Sequence, residues 1–199
     1  DGKLTAEAVD GYITAFRADE AWDHMVWPGM VYISQPTEYG TLYSLAELEA
    51  LSAVCRKWEI PLFVDGARLG YALASPATDV TLKDLARLCD VFYIGGTKIG
   101  ALFGEAVVIM NPALKKDFRY MIKQRGGMMA KGRLLGIQFD VLFTDDLYFK
   151  IARHANEMAY QVRDIFVSNG YKMLFESDTN QQYPIMSDEE LAIIGQNFG

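Results

Sequence analysis

Short apolar runs alternate along this chain with segments of helical period, and that alternation most constrains what it can fold into. The runs are MVYIS (30–34), LFV (62–64), VFYI (91–94), EAVVIM (105–110) and YKMLFES (171–177). Each is short enough for a strand, and turn-forming residues such as Pro36, Gly40, Gly95 and Gly96 interrupt the chain between them. The segments between are helical in pattern. LTAEAVDGYITAFRA reads as one helix. Ser44, with Glu47 three residues on, makes a capping-box signature ahead of Leu45, Leu48, Leu51, Cys55 and Trp58 at helical spacing, and Pro61 stops that helix. Thr81 opens TLKDLARL. Pro112 sits in the first turn of PALKKDFRYMIKQ, and KGRLLGIQFDVLF follows. Asp145 and Asp146 open a long helix whose stripe is Leu147, Ile151, Ala155, Met158, Val162 and Ile165, with Gly170 at its end. SDEELAIIGQNFG opens as a further helix. Strands alternating with helices predict an α/β fold around a mostly parallel sheet.

With 199 residues, 51% of them hydrophobic, the chain can bury a full core. A net charge of −7 disfavours a non-specific nucleic-acid surface, which needs clustered Lys and Arg. No apolar run approaches the ~18 residues of a membrane span, so no membrane partner is expected. No CxxC or paired-His spacing offers a zinc site, and no metal is expected. Cys55 and Cys89 read as core thiols, and the polar opening residues lack signal-peptide character, which makes the cytoplasm the default. Trp22, Trp27 and Tyr32 are expected to pack in the core or at a subunit interface.

Two loops carry chemistry. In PLFVDGARLGYAL a strand ends in Asp65, with Arg68 three residues on. In CDVFYIGGTKIGALFG another ends in glycines and then presents Lys98. Ligands of open α/β sheets bind beyond the carboxyl ends of the strands, where both groups would lie. Pyridoxal phosphate (PLP) wants this pair: a lysine amine bonds its aldehyde, and a carboxylate keeps its pyridine nitrogen protonated. Arg68 would give a substrate carboxylate a planar fork of donors. Singly, each residue has a plainer reading: a turn aspartate, a solvated lysine, an arginine in an ion pair. GGTKIG lacks the residue order of a phosphate-binding P-loop, and no G-x-G-x-x-G follows a strand.

FVDGARLGYAL followed by DVFYIGGTKIGALFGEAVVI resembles the PLP-dependent fold type I enzymes, specifically the threonine aldolase / β-eliminating lyase family. PGMVYISQPTEYGTLYSLAELEAL and QRGGMMAKGRLLG are similar to further segments of that family. The resemblance implies a three-layer large domain over 1–145, an interdomain helix over 146–170, and the start of a small C-terminal domain over 171–199. It assigns Lys98 as the catalytic lysine bonded to PLP, Asp65 to the pyridine nitrogen, Thr97 to a hydrogen bond with the cofactor and Arg68 to the substrate carboxylate. Arg125 becomes a phosphate contact. The implied reaction is Cα–Cβ cleavage of a β-hydroxy amino acid to glycine and an aldehyde, with transamination or β-elimination as alternatives. A homodimer or homotetramer is implied too. Family members are longer: their phosphate-cradling turn would precede residue 1, and a later arginine would follow residue 199. A fragment inactive by itself is therefore a third reading. His24 and His154 take no family role and read as surface or packing residues.

Overall fold

The computed structural model describes residues 2–198. Strands β1 (Val31–Ser34), β2 (Leu62–Asp65), β3 (Val91–Ile94) and β4 (Ala106–Ile109) form one sheet in chain order. β1, β2 and β3 are parallel, and β4 runs antiparallel to β3. The connections explain the difference. Helices α2 (Leu45–Lys57), α3 (Leu69–Leu73) and α4 (Leu82–Leu88) carry the chain back between the parallel strands. Residues 95–105 hold only a single 3-10 turn, Thr97–Ile99, and so short a link returns the chain antiparallel.

The helix starts are locally encoded. Ser44 and Glu47 close a reciprocal capping box on α2, and Thr81 and Asp84 do the same on α4. α1 (Ala6–Ala18) is capped by Thr5 and buries Val9, Ile13 and Phe16. Val31, Ile33, Leu62, Val64, Phe92 and Ile94 fill the buried face of the sheet. They share one core with side chains of α1 to α4 and of the long helix, including Leu48, Leu51, Leu69, Leu85 and Tyr148. Cys55 and Cys89 are free thiols in that core, as expected. Burial pushes the Cys55 thiol up to about 11 and that of Cys89 up to about 12, with the Asp90 carboxylate adding to both. The alternate positions Tyr32, Phe63, Asp65 and Tyr93 lie on the opposite, partly exposed face.

Four expectations need correction. YKMLFES forms no strand: its only ladder contact is an isolated bridge from Met173 to Pro184. Its backbone bonds residues 183–185 instead, with the Leu174 N–H donating to the Tyr183 carbonyl and the Ile185 N–H to the Lys172 carbonyl, each at 2.8 Å. The predicted helix over PALKKDFRYMIKQ is two pieces, a 3-10 turn Pro112–Lys115 and α5 (Phe118–Gln124). Asp117, in left-handed conformation at φ 57°, breaks it. α6 (Arg133–Phe143) lacks the opening residues of the predicted segment. The long helix α7 (Leu147–Ser168) starts only after Asp145 and Asp146, both left-handed. Its buried residues are Tyr148, Ala152 and Asn156, one position round from the predicted stripe. Met158, Val162 and Ile165 of that stripe are exposed. α8 (Asp188–Phe198) closes the described chain.

Candidate active site

Asp65 ends β2, and Lys98 lies just past the end of β3, the strand beside it. The two strand ends approach backbone to backbone. The Gly95 N–H donates to the Gly66 carbonyl at 2.9 Å. A Cβ on Gly95 would stand 2.3 Å from the Ala67 carbonyl oxygen, and one on Gly66 would stand 1.8 Å from that of Tyr93. Only glycine permits this approach, and it brings the acid and the lysine to one crevice.

The Lys98 loop is fixed from below. Ile99 is fully buried against Gly70 of α3. The Tyr71 hydroxyl donates to the Lys98 carbonyl, and that of Tyr148 donates to the Gly95 carbonyl at 2.9 Å. Gln138 of α6 accepts from the Leu102 N–H at 2.7 Å and donates to the Phe103 carbonyl at 3.0 Å. The Lys98 side chain is itself exposed, and its Nζ makes no hydrogen bond or ion pair among the described residues. A pinned backbone thus carries an uncommitted amine.

Asp65 is over-determined. Its Oδ2 accepts from the Tyr32 hydroxyl on β1. Its Oδ1 accepts from the Tyr93 hydroxyl on β3 and from the Ala67 N–H at 2.9 Å. The last bond is an Asx turn, so the turn reading and the functional reading of Asp65 hold together. Burial works to raise the Asp65 pKa. The two hydroxyls, the Ala67 N–H and the nearby charge of Lys98 outweigh it, and the carboxyl titrates below its ordinary value. Tyr32 is pushed up to about 12, chiefly by donating to Asp65, and Tyr93 is raised by burial and by Asp65. Both therefore stay protonated donors. Tyr32, expected in the core or at an interface, is half exposed and stacks on Phe63 at 5.3 Å between ring centroids.

Thr97 and Arg68, predicted beside this pair, are both engaged. Thr97 donates to Glu105 Oε1 at 3.2 Å, and Glu105 Oε2 accepts from the Gly96 N–H. Arg68 Nη1 pairs with Glu38 at 3.1 and 3.3 Å. The Glu38 carbonyl is held in turn by Gln181 at 3.1 Å and the Tyr183 hydroxyl at 2.6 Å. Arg125 lies exposed at the end of α5. His24, with a side chain 84% exposed, and His154, on the outer face of α7, are surface residues. Trp22 and Trp27 are partly exposed and pack edge-on against Phe16 and each other, with Arg17 over Trp27 at 4.1 Å.

Sequence reasoning missed Tyr32, Tyr93, Glu38 and Glu105. Tyr93 had a findable signal. Val64 pairs with Phe92, so the next position along each strand sets Asp65 opposite Tyr93. Glu38 and Glu105 lie in loops, and no periodic pattern aims them.

The family model described as "Beta-eliminating lyase" matches residues 1–189. This chain belongs to the beta-eliminating lyase family. It is 32% identical over 188 residues to a low specificity L-threonine aldolase of Pseudomonas aeruginosa, covering 94% of this chain and 53% of that protein. The structure of a threonine aldolase from Leishmania major superposes with a TM-score of 0.93 at 46% identity, covering 100% of this chain and 57% of that one. Cystalysin from Treponema denticola, whose crystal structure contains pyridoxal 5'-phosphate, superposes at 0.63 with 13% identity over 90% of this chain and 45% of that one, a likeness of fold. The expected fold, the mostly parallel α/β architecture of the fold type I enzymes, is thus the one this family member adopts. The chain spans about half the length of the curated relatives it matches.

Proposed function

We propose that this chain carries the cofactor-anchoring part of a PLP-dependent lyase that cleaves a β-hydroxy amino acid in the manner of a threonine aldolase. The observation that carries the reading is the pairing of a clamped, ionised Asp65 with an uncommitted Lys98 at adjacent strand ends. The family and its threonine aldolase relatives support it.

The residues fit the cofactor chemically. Lys98 offers a free amine as the point of attachment. Asp65 accepts three donors, and a carboxylate has about four acceptor positions, so one lone pair on Oδ2 is left for a ring N–H. PLP, when bound, supplies an electron sink for the pair left on Cα as a bond breaks. Asp65 holds the proton at the ring nitrogen side by staying ionised itself. Arg68 exchanges Glu38 for the substrate carboxylate and so sets which Cα bond is aligned for cleavage. Thr97 and Arg125 take the cofactor contacts assigned to them once Thr97 turns from Glu105. The segment from 171 onward braces Glu38, which fits the start of a second domain.

The reading also makes the chain a subunit of a homodimer or homotetramer. Tyr120, Met121, Leu134, Ile137 and Val141 on α5 and α6 expose apolar surface suited to a subunit contact. No described helix is long and apolar enough to cross a membrane. Two buried free thiols fit a reducing compartment, and we place the protein in the cytoplasm.

The test is to add PLP, reduce with borohydride, and map the modified lysine by mass spectrometry, with Lys98→Ala as control. Label confined to Lys98 is the expected result. Label spread over surface lysines would overturn the assignment. Glycine and aldehyde from the loaded protein, against keto acid or ammonia, decide the reaction.

A further inference from the structure

We infer that Tyr32 and Tyr93 are positioning residues that hold the Asp65 carboxylate in one rotamer with a single open acceptor position, on Oδ2, aimed at the cofactor's ring nitrogen. The inference rests on the PLP reading above. Its core, the control of Asp65 by the two hydroxyls, stands on the geometry alone.

The three parallel strands each supply one member: Tyr32 from β1, Asp65 from β2 and Tyr93 from β3. Donors on both carboxylate oxygens remove the rotational freedom of an ordinary exposed aspartate. Oδ1 is filled by Tyr93 and Ala67, while Oδ2 carries Tyr32 alone. The Phe63 ring packs against both, stacked on Tyr32 and tilted against Tyr93. Phe63 lies between them, 5.3 Å from Tyr32 and 6.2 Å from Tyr93 between centroids. Neither hydroxyl is a base here, since each keeps its proton and donates it in a hydrogen bond to Asp65.

The charged groups around the triad act in known directions. Lys98 favours the ionised carboxylate. Glu38, beside Tyr32, and Glu105, beside Tyr93, each make their tyrosine harder to ionise. Arg68 is turned to Glu38. A pyridinium facing an aspartate keeps its proton only while the aspartate is the weaker base. Two phenol donors make it so, because each stabilises the carboxylate and neither stabilises the acid as well. Without them the proton would shift toward Asp65 and the ring would lose its charge.

The experiment has two arms on the whole 199-residue chain. In the first, without cofactor, chain carrying carbon-13 in its aspartate carboxyls is titrated by NMR, with Asp65→Asn assigning the signal. Tyr93→Phe and Tyr32→Phe are each expected to move the Asp65 midpoint upward, while both rings keep their packing. An unmoved midpoint in both variants overturns the inference. In the second arm, PLP affinity is measured against pH. Below the Asp65 midpoint the affinity falls about tenfold per pH unit, and each variant is expected to move that acid limb to higher pH. A uniform loss of affinity with the limb in place would mean mere packing and refute the role. If the parent chain binds no PLP while the NMR midpoint moves, the clamp stands, and the reading of these residues as sufficient by themselves to hold the cofactor falls. If PLP loads Lys98 equally well with no midpoint shift, the cofactor reading stands and the clamp falls.

Discussion

Gly95→Ala tests the claim that the site depends on two strand ends touching through their backbones. The new methyl would stand 2.3 Å from the Ala67 oxygen, 2.6 Å from its carbon and 2.7 Å from the Gly66 oxygen. All three are backbone atoms, so no side chain can swing aside. Overpacking of this kind costs roughly 1–3 kcal/mol, and forcing the strands apart also weakens the Gly95–Gly66 hydrogen bond, worth about 1 kcal/mol. A loss of about 3 kcal/mol follows, or a fall in Tm of about 6–12 °C for a chain of this size. Gly11→Ala is the control. That glycine is exposed within α1 with nothing within 4 Å of the added carbon, and alanine there should stabilise by roughly 0.4–1 kcal/mol. Urea denaturation followed by circular dichroism reads both. Because Ala67 also donates to Asp65, Gly95→Ala should further reduce PLP labelling of Lys98 under native conditions. If Gly95→Ala unfolds at the same urea concentration as the parent chain, the backbone approach is not what the structure says it is.

Asp65 has a lowered pKa, so the unfolded chain binds more protons between the folded and ordinary carboxylate values. Its contribution is fully present above the ordinary carboxylate pKa and is lost as pH falls through the folded one. Asp65→Asn should therefore show a shallower acid limb in a plot of stability against pH, and an unchanged slope would contradict the assignment. Tyr148→Phe removes the donor to the Gly95 carbonyl from a fully buried position and should destabilise by about 1–2 kcal/mol in urea melts. Ser44→Ala breaks the α2 capping box for about 1 kcal/mol by the same assay. Cys55 and Cys89, buried and with thiols pushed up to about 11 and about 12, should react with a thiol reagent at pH 8 only after denaturant is added.

What the chain discloses depends on the range of the interaction. The capping boxes at Ser44 and Thr81 need residues only three apart, and both are legible. The runs at 31–34, 62–65 and 91–94 are legible because side chains on one face of each are buried together, and 106–109 because Ala106 and Val108, partly buried, pack against that core. YKMLFES has the same local appearance, but the side chains of its last residue, Ser177, and of Thr179 and Gln181 just after it bind Gly40 and Glu38 instead of extending a strand edge. Asp117 and Asp145 break helices through left-handed backbone that no hydrophobic pattern encodes. Within the site, Asp65 and Lys98 are visible as strand-end residues. The tyrosine pair requires the register of three strands, and the Glu38 and Glu105 contacts require loop conformations set by the rest of the fold.

The antiparallel return of β4 bears on the order in which the site is assembled. The lysine loop closes a local unit: β3, its short link and β4 pair without waiting for distant chain. Asp65 arrives by a longer route, since β2 must find β3 across α3 and α4, and Tyr32 by a longer one still across α2. Loop-closure entropy makes the nearer pairing the earlier one. In pulse-labelled hydrogen exchange during refolding, the amides of Phe92 and Val108, a hydrogen-bonded pair of the β3–β4 ladder, should gain protection before those of Ile33 and Val64. The lysine would then have its platform before the carboxylate that completes the site has been delivered.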